Sequence, residues 1–92
     1  MFYVYVLYSL KDRGLYIGFT ENMHRRWQEH EAGKAISTAY RRPFILAYFE
    51  AYAERIDAEG RERFLKSGAG RRYLKKQLRS FFDLHPLRSA PE

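Results

Sequence analysis

Five side chains in the first two thirds of this 92-residue chain carry groups that could act together on a phosphate: Tyr5, Tyr16, Arg26, His30 and Glu62. Tyr3 and Tyr5 alternate with Val4 in an apolar run, so a strand puts both phenols on one face, and a hairpin to the run holding Tyr16 brings a further phenol alongside. Arg26 and His30 are spaced i, i+4 and project from one helix face. A guanidinium there can fork onto a phosphate and neutralise charge that develops in a transition state. His30 could orient water, protonate a leaving oxygen or hold a tyrosine. Glu62 falls beside Ala58 and Leu65 at the border of an apolar stripe, whereas Glu59 points to solvent. A carboxylate at such a border is costly unless it is paired or holds a cation, and one carboxylate with waters and a substrate phosphate suits Mg²⁺, with Mn²⁺ as its substitute. Each position also has a plainer reading. Tyrosines often pack half-buried in strands, Arg25, Arg26 and Glu29 make a solvated helix face, and Glu62 can pair with Lys66 one turn on.

Whether these groups meet depends on the elements that carry them. Residues 2–9 are aromatic and β-branched and read as a buried strand; Lys11-Asp12-Arg13-Gly14 is a polar turn, and Leu15 to Phe19 completes an antiparallel hairpin. Thr20 is a suitable N-cap for a helix over about 21–32 that stops at Gly33. Residues 34–42 show no period and read as a loop, Phe44 to Tyr52 as a third strand, and Ile56 to Lys66 as a second helix. Ser67-Gly68-Ala69-Gly70 then suggests a left-handed cap and a tight bend before a helix over 71–82. The order is β-β-α-β-α-α: a small α/β (α+β) domain with a three-stranded antiparallel sheet flanked by helices, over residues 1–83, followed by a flexible tail over 84–92.

Composition narrows the partners. Seventeen Lys and Arg against eleven Asp and Glu give a net charge of +6, which favours polyanions, and nucleic acid first among them. The absence of cysteine excludes disulfides and thiolate zinc sites and fits a reducing compartment. The apolar start MFYVYVLYS has neither a basic leader nor the span of about 20 residues that a membrane helix needs, so a cytoplasmic protein off the membrane is expected. Lys34, Thr38, Tyr40, Arg41 and Arg42 cluster in the loop before the third strand, where phosphate contacts are expected. Arg71, Arg72, Lys75, Lys76 and Arg79 segregate to one half of the last helix, opposite Tyr73, Leu74, Leu78 and Phe81, and suit sequence-independent backbone contacts or simply a solvated helix face. Gly18 reads as a place where a phosphate or a neighbouring backbone approaches closely, or as a simple strand-end glycine.

The pattern as a whole resembles the GIY-YIG nucleases. Tyr3-Val4-Tyr5 stands where that family has Gly-Ile-Tyr, Tyr16-Ile17-Gly18 is an unmodified YIG, and Tyr5 and Tyr16 lie eleven residues apart. Arg26 follows Gly18 by eight residues, His30 comes one turn later, and Glu62 sits in Arg-Glu-Arg-Phe-Leu-Lys, each similar to a family position. The likeness spans residues 2–66 and is greatest to the short stand-alone members, which are related to the N-terminal nuclease domain of an excision-repair protein. It implies Mg²⁺-dependent hydrolysis of phosphodiester bonds, in DNA by preference and directed by structure rather than sequence, in repair or processing. It further implies a phenolate at Tyr5, or in competition at Tyr16, that accepts a proton from the attacking water, which requires a pKa falling from about 10 toward neutrality. Two departures stand out: Tyr3 replaces Gly, and no Asn after Glu62 matches the one some members use. The alternatives are a weakly active or inactive nucleic-acid-binding module, or a module whose basic helix docks on an acidic protein, as a monomer or weak dimer.

Overall fold

The computed structural model describes residues 1–88. Strands β1 (Phe2–Ser9) and β2 (Leu15–Thr20) form the hairpin; α1 (Met23–Glu31) follows, then a single 3₁₀ turn at Ala39–Arg41, β3 (Phe44–Tyr52), α2 (Arg55–Lys66), α3 (Gly68–Gln77) and α4 (Arg79–Leu84). The sheet is antiparallel throughout in the order β2-β1-β3. The central strand β1 is covered on both faces, which explains its nearly unbroken run of apolar and aromatic residues. Val4, Val6 and Tyr8 of β1 with Leu15 and Ile17 of β2 pack against Ala58 and Leu65 of α2 and Leu74 of α3. Tyr5, on the other face of β1, meets His30 of α1. The β1–β2 register sets Tyr5 directly opposite Gly18 and Leu7 opposite Tyr16.

Local chemistry shifts several boundaries from those expected. Asn22, rather than Thr20, caps α1: its side chain accepts from the Arg25 N–H at 3.0 Å, while the Thr20 hydroxyl accepts from the Asn22 N–H at 3.1 Å. Gly33 ends α1 with φ of +74°, in the left-handed region as its position suggested. The joint between α2 and α3 has no left-handed bend. Ser67 closes α2 and caps α3, its side chain accepting from the Gly70 N–H at 3.1 Å, so Gly68 and Gly70 belong to the first turn of α3. Gly70 is required by close approach instead: a Cβ there would lie 1.8 Å from the Phe64 carbonyl oxygen. The helix expected over 71–82 breaks at Leu78 into α3 and α4. This break lets Phe81 and Phe82 both reach the core.

Residues 84–88, expected in a flexible tail, are bound to the domain. The Tyr8 hydroxyl donates to the Pro86 carbonyl at 2.6 Å, the Arg88 N–H donates to the Arg13 carbonyl at 3.1 Å, and Leu87 packs against the core. Residues 89–92 of that expected tail lie outside the described residues. On β3, Glu50 accepts two hydrogen bonds from Arg61 of α2, at 2.9 and 3.0 Å, and one each from Tyr48 and Tyr52. That clamp fixes α2, and with it Glu62, against the sheet. Among the described residues, no helix is long and apolar enough to cross a membrane.

Candidate active site

Tyr5 lies at the centre of the site and is 1% exposed. Its ring crosses the Gly18 backbone so closely that a Cβ on Gly18 would fall 2.4 Å from both Cζ and Oη. Gly18 therefore makes room for a phenol, and the close approach expected at this glycine is that of Tyr5. The Tyr5 oxygen is 2.8 Å from His30 Nε2 and accepts from Arg26 Nε at 3.4 Å. His30 is fully buried, with Nδ1 2.7 Å from the Thr38 hydroxyl oxygen; that hydroxyl donates in turn to the Ala35 carbonyl at 3.4 Å. The donors and acceptors balance when the Thr38 proton goes to Ala35. If Thr38 gives its proton to Ala35, it must accept from His30 Nδ1–H, which leaves Nε2 as acceptor for the Tyr5 O–H.

Electrostatics agrees with that arrangement. Burial, reinforced by the charge of Arg26, lowers the His30 pKa to about 4, so the imidazole is neutral at pH 7. Burial also pushes the Tyr5 phenol up to about 12, despite the opposing bond from Arg26; Tyr16 and Glu62 raise it further. Without a metal cation beside it, the buried ring keeps its proton at neutral pH. Arg26 is held charged by its bond to Tyr5 and by Glu29, whose carboxylate accepts from Nη1 at 3.1 Å.

Tyr16 occupies a different environment. Its ring centroid lies 6.3 Å from that of Tyr5 and 5.4 Å from that of His30, but the residue is only partly buried, unlike Tyr5. Glu62 is partly buried beside the fully buried Ala58 and Leu65, and pairs with Lys66 at 3.0 Å. Its charge acts on the Tyr5 phenol. Glu59, expected to point to solvent, is partly covered as well.

The expected nucleic-acid contacts divide. Lys34, Tyr40, Arg42, Arg71, Arg72, Lys75, Lys76 and Arg79 are exposed. Thr38 is not: it is completely buried, and its hydroxyl orients His30 instead of meeting a phosphate. Arg41 is bound to Asp12 through Nε at 2.6 Å and Nη2 at 3.1 Å, which holds the Asp12 carboxyl down at about 2. The Arg42 side chain covers Gly33 and donates to the Ala39 and Glu31 carbonyls. The role of Thr38 had no signal in the sequence, because a threonine in a segment without a period looks like any loop hydroxyl. Among the described residues no three His, Cys, Asp or Glu side chains come together as a metal cage. Glu62 offers a single carboxylate, engaged here by Lys66.

A three-stranded antiparallel sheet with two tyrosines, an arginine and a histidine gathered beside its first hairpin defines a small α/β nuclease-type domain. This chain belongs to the GIY-YIG family: the family's catalytic-domain model matches residues 1–78. The family is one of nucleases, which act on nucleic acid. Similar proteins include the UPF0213 protein SH2523 of Staphylococcus haemolyticus, 38% identical over 74 residues that make up 79% of this chain and 89% of that protein. The UPF0213 protein CPE1444 of Clostridium perfringens is 40% identical over 67 residues, 72% of this chain and 71% of its own length. A UPF0213 protein of Limosilactobacillus reuteri is 34% identical over 90 residues, 95% and 93% of the two chains. No solved structure matches the chain at a significant level.

Proposed function

We propose that this protein is a Mg²⁺-dependent endonuclease that hydrolyses phosphodiester bonds in DNA, selecting structure rather than sequence, in repair or processing. The observation that carries this reading is the convergence of Tyr5, Tyr16, Arg26 and His30, with Glu62 close enough to act electrostatically on Tyr5. Tyr16 is the less buried of the two tyrosines, and we assign it the proton-accepting role: once its phenol has given its own proton to solvent, the phenolate takes one from the attacking water. Tyr5 serves to position. Its O–H is fixed on neutral His30, and its oxygen anchors Arg26 Nε. With Nε on Tyr5 and Nη1 on Glu29, the Arg26 guanidinium is aimed by two fixed points, and Nη2 is left to meet the scissile phosphate. Glu62 would hold Mg²⁺, which when bound polarises that phosphate and stabilises the leaving oxygen. The Lys66 partner is half exposed, so exchanging this pair for a cation costs little.

The test uses oligonucleotide and branched-DNA substrates with Mg²⁺. Cleavage should be abolished by EDTA, by Glu62→Ala and by Arg26→Ala, while Tyr16→Phe should slow turnover more than Tyr5→Phe. Nicking that persists in the Glu62 variant would mean that another site or a contaminant does the cutting. One observation favours a second reading: the exposed cations Arg71, Arg72, Lys75, Lys76 and Arg79 suit a module that binds nucleic acid without cutting it. That reading expects salt-sensitive binding and no product on any substrate, and a measured turnover excludes it.

A further inference from the structure

Five cationic side chains from four separate segments line one pocket of about 360 Å³ at the turn end of the hairpin: Arg13, Arg41, Arg71, Lys75 and Arg88. A helix that is merely solvated would show its charge on one face of one element. Here the turn, the loop before β3, α3 and the segment after α4 all contribute. Gly14 eases the gathering: a Cβ there would lie 3.0 Å from both Arg41 Nη2 and Asp12 Oδ1, so that ion pair would have to shift by a few tenths of an ångström, and would be in ordinary contact with Arg88 Cζ at 3.5 Å. The floor is also fixed. Arg13 holds a left-handed φ of 58°, uncommon for a residue with a side chain, and its carbonyl accepts from the Arg88 N–H at 3.1 Å. Only Arg41 is neutralised, by Asp12; among the described residues none of the other four cations forms an ion pair. Like charges drawn together around an open cavity favour an anion inside it.

We propose that this pocket seats the backbone phosphates of a nucleic-acid strand that runs on past Tyr16. This inference rests on the reading of the chain as acting on nucleic acid. The lining supplies charge without an aromatic side chain, so it would hold phosphate and be indifferent to base. The pocket adjoins the site through Arg41, which donates to the carbonyl of Leu15, the residue before Tyr16, at 3.4 Å. The same polyanion chemistry would attract a free polyphosphate.

The experiment measures fluorescence anisotropy of a labelled oligonucleotide in EDTA, so that binding is read apart from cleavage. Two double variants of α3 remove equal charge: R71Q/K75Q inside the pocket and R72Q/K76Q outside it. The first should weaken binding about tenfold and flatten the dependence of log K on log salt by about 1.4 to 1.8, the loss of two phosphate contacts, whereas the second should do much less. R13G relieves the left-handed backbone, keeps the fold and should weaken binding too. Equal effects of the two double variants would overturn the pocket and leave only a diffuse basic face. Tripolyphosphate is the competing probe: if it saturates the wild-type pocket while the oligonucleotide fails to displace it, the assignment to nucleic acid is wrong. Pocket-dependent binding without any cleavage would instead defeat the nuclease reading and leave this inference standing.

Discussion

The two site tyrosines, alike in sequence, differ in burial, and burial decides what each can do. Tyr5 is sealed against Gly18 and His30 and holds its proton to about pH 12, so it orients its neighbours, while Tyr16 is only partly buried. His30 makes a testable difference to acid stability. Its folded pKa of about 4 lies below the ordinary 6.5, so the folded chain binds fewer protons than the unfolded chain between those values. The contribution is therefore complete above pH 6.5 and is lost as pH falls toward 4, by about 3 kcal/mol in all. Urea unfolding at a series of pH values should show that slope, and a His30→Gln chain should lack it. Asp12 behaves in the same sense at lower pH, between its ordinary 3.8 and about 2, so the two transitions are separable. Thr38→Val should remove the acceptor for His30 Nδ1–H and destabilise the fold by about 1–3 kcal/mol, because a buried donor is left unsatisfied. Circular dichroism during denaturation measures that loss, and cleavage should fall with it as His30 loses its orientation.

Between elements, two glycines do different work. Gly70 allows α3 to begin against the last turn of α2, with the Phe64 carbonyl oxygen 1.8 Å from where a Cβ would be. Gly70→Ala must push two helices apart, and a loss of about 3 kcal/mol or more is expected, at the upper end for overpacking. Gly18 faces the movable end of one ring. Gly18→Ala should displace Tyr5 at about 1–3 kcal/mol and break its bonds to His30 and Arg26, so activity should fall further than stability does. Melting temperature and cleavage rate measured on both variants separate the two effects, and a Gly18→Ala enzyme with wild-type rate would show that the Tyr5 position is unimportant. The Glu50–Arg61 clamp is the counterpart on the other face: burial raises the Glu50 pKa, but bonds from Arg61 and two tyrosines bring it below the usual range, so the carboxylate remains charged and α2 stays in register with β3.

At the scale of the whole molecule the net charge of +6 favours polyanions, and five of the cationic side chains meet in the pocket beside the hairpin turn. If three to five phosphates are engaged, duplex binding should weaken about 40- to 500-fold between 50 and 200 mM salt. Titration of a labelled duplex at several salt concentrations measures this, and heparin should compete by the same charge term. A flat salt response would mean that the basic side is merely a soluble surface.

The strands, the main helices and their order were legible in the sequence, because strand alternation and helical spacing are local properties of the chain, whereas the choice of Tyr5, Tyr16, Arg26, His30 and Glu62 as a set came from the resemblance to the GIY-YIG nucleases. Tyr3-Val4-Tyr5, Tyr16-Ile17-Gly18 and the Arg26–His30 turn carry their geometry within a few residues. What needed the tertiary structure was every property that depends on distant contacts. Burial raised the proton affinity of Tyr5 and lowered that of His30, Thr38 turned from a loop hydroxyl into the support of a buried imidazole, and Arg13 and Arg88 came to share a pocket with α3. Spacing along a chain fixes which face a side chain takes; how far that face is removed from water, and which charges surround it, is set only when separate elements pack together.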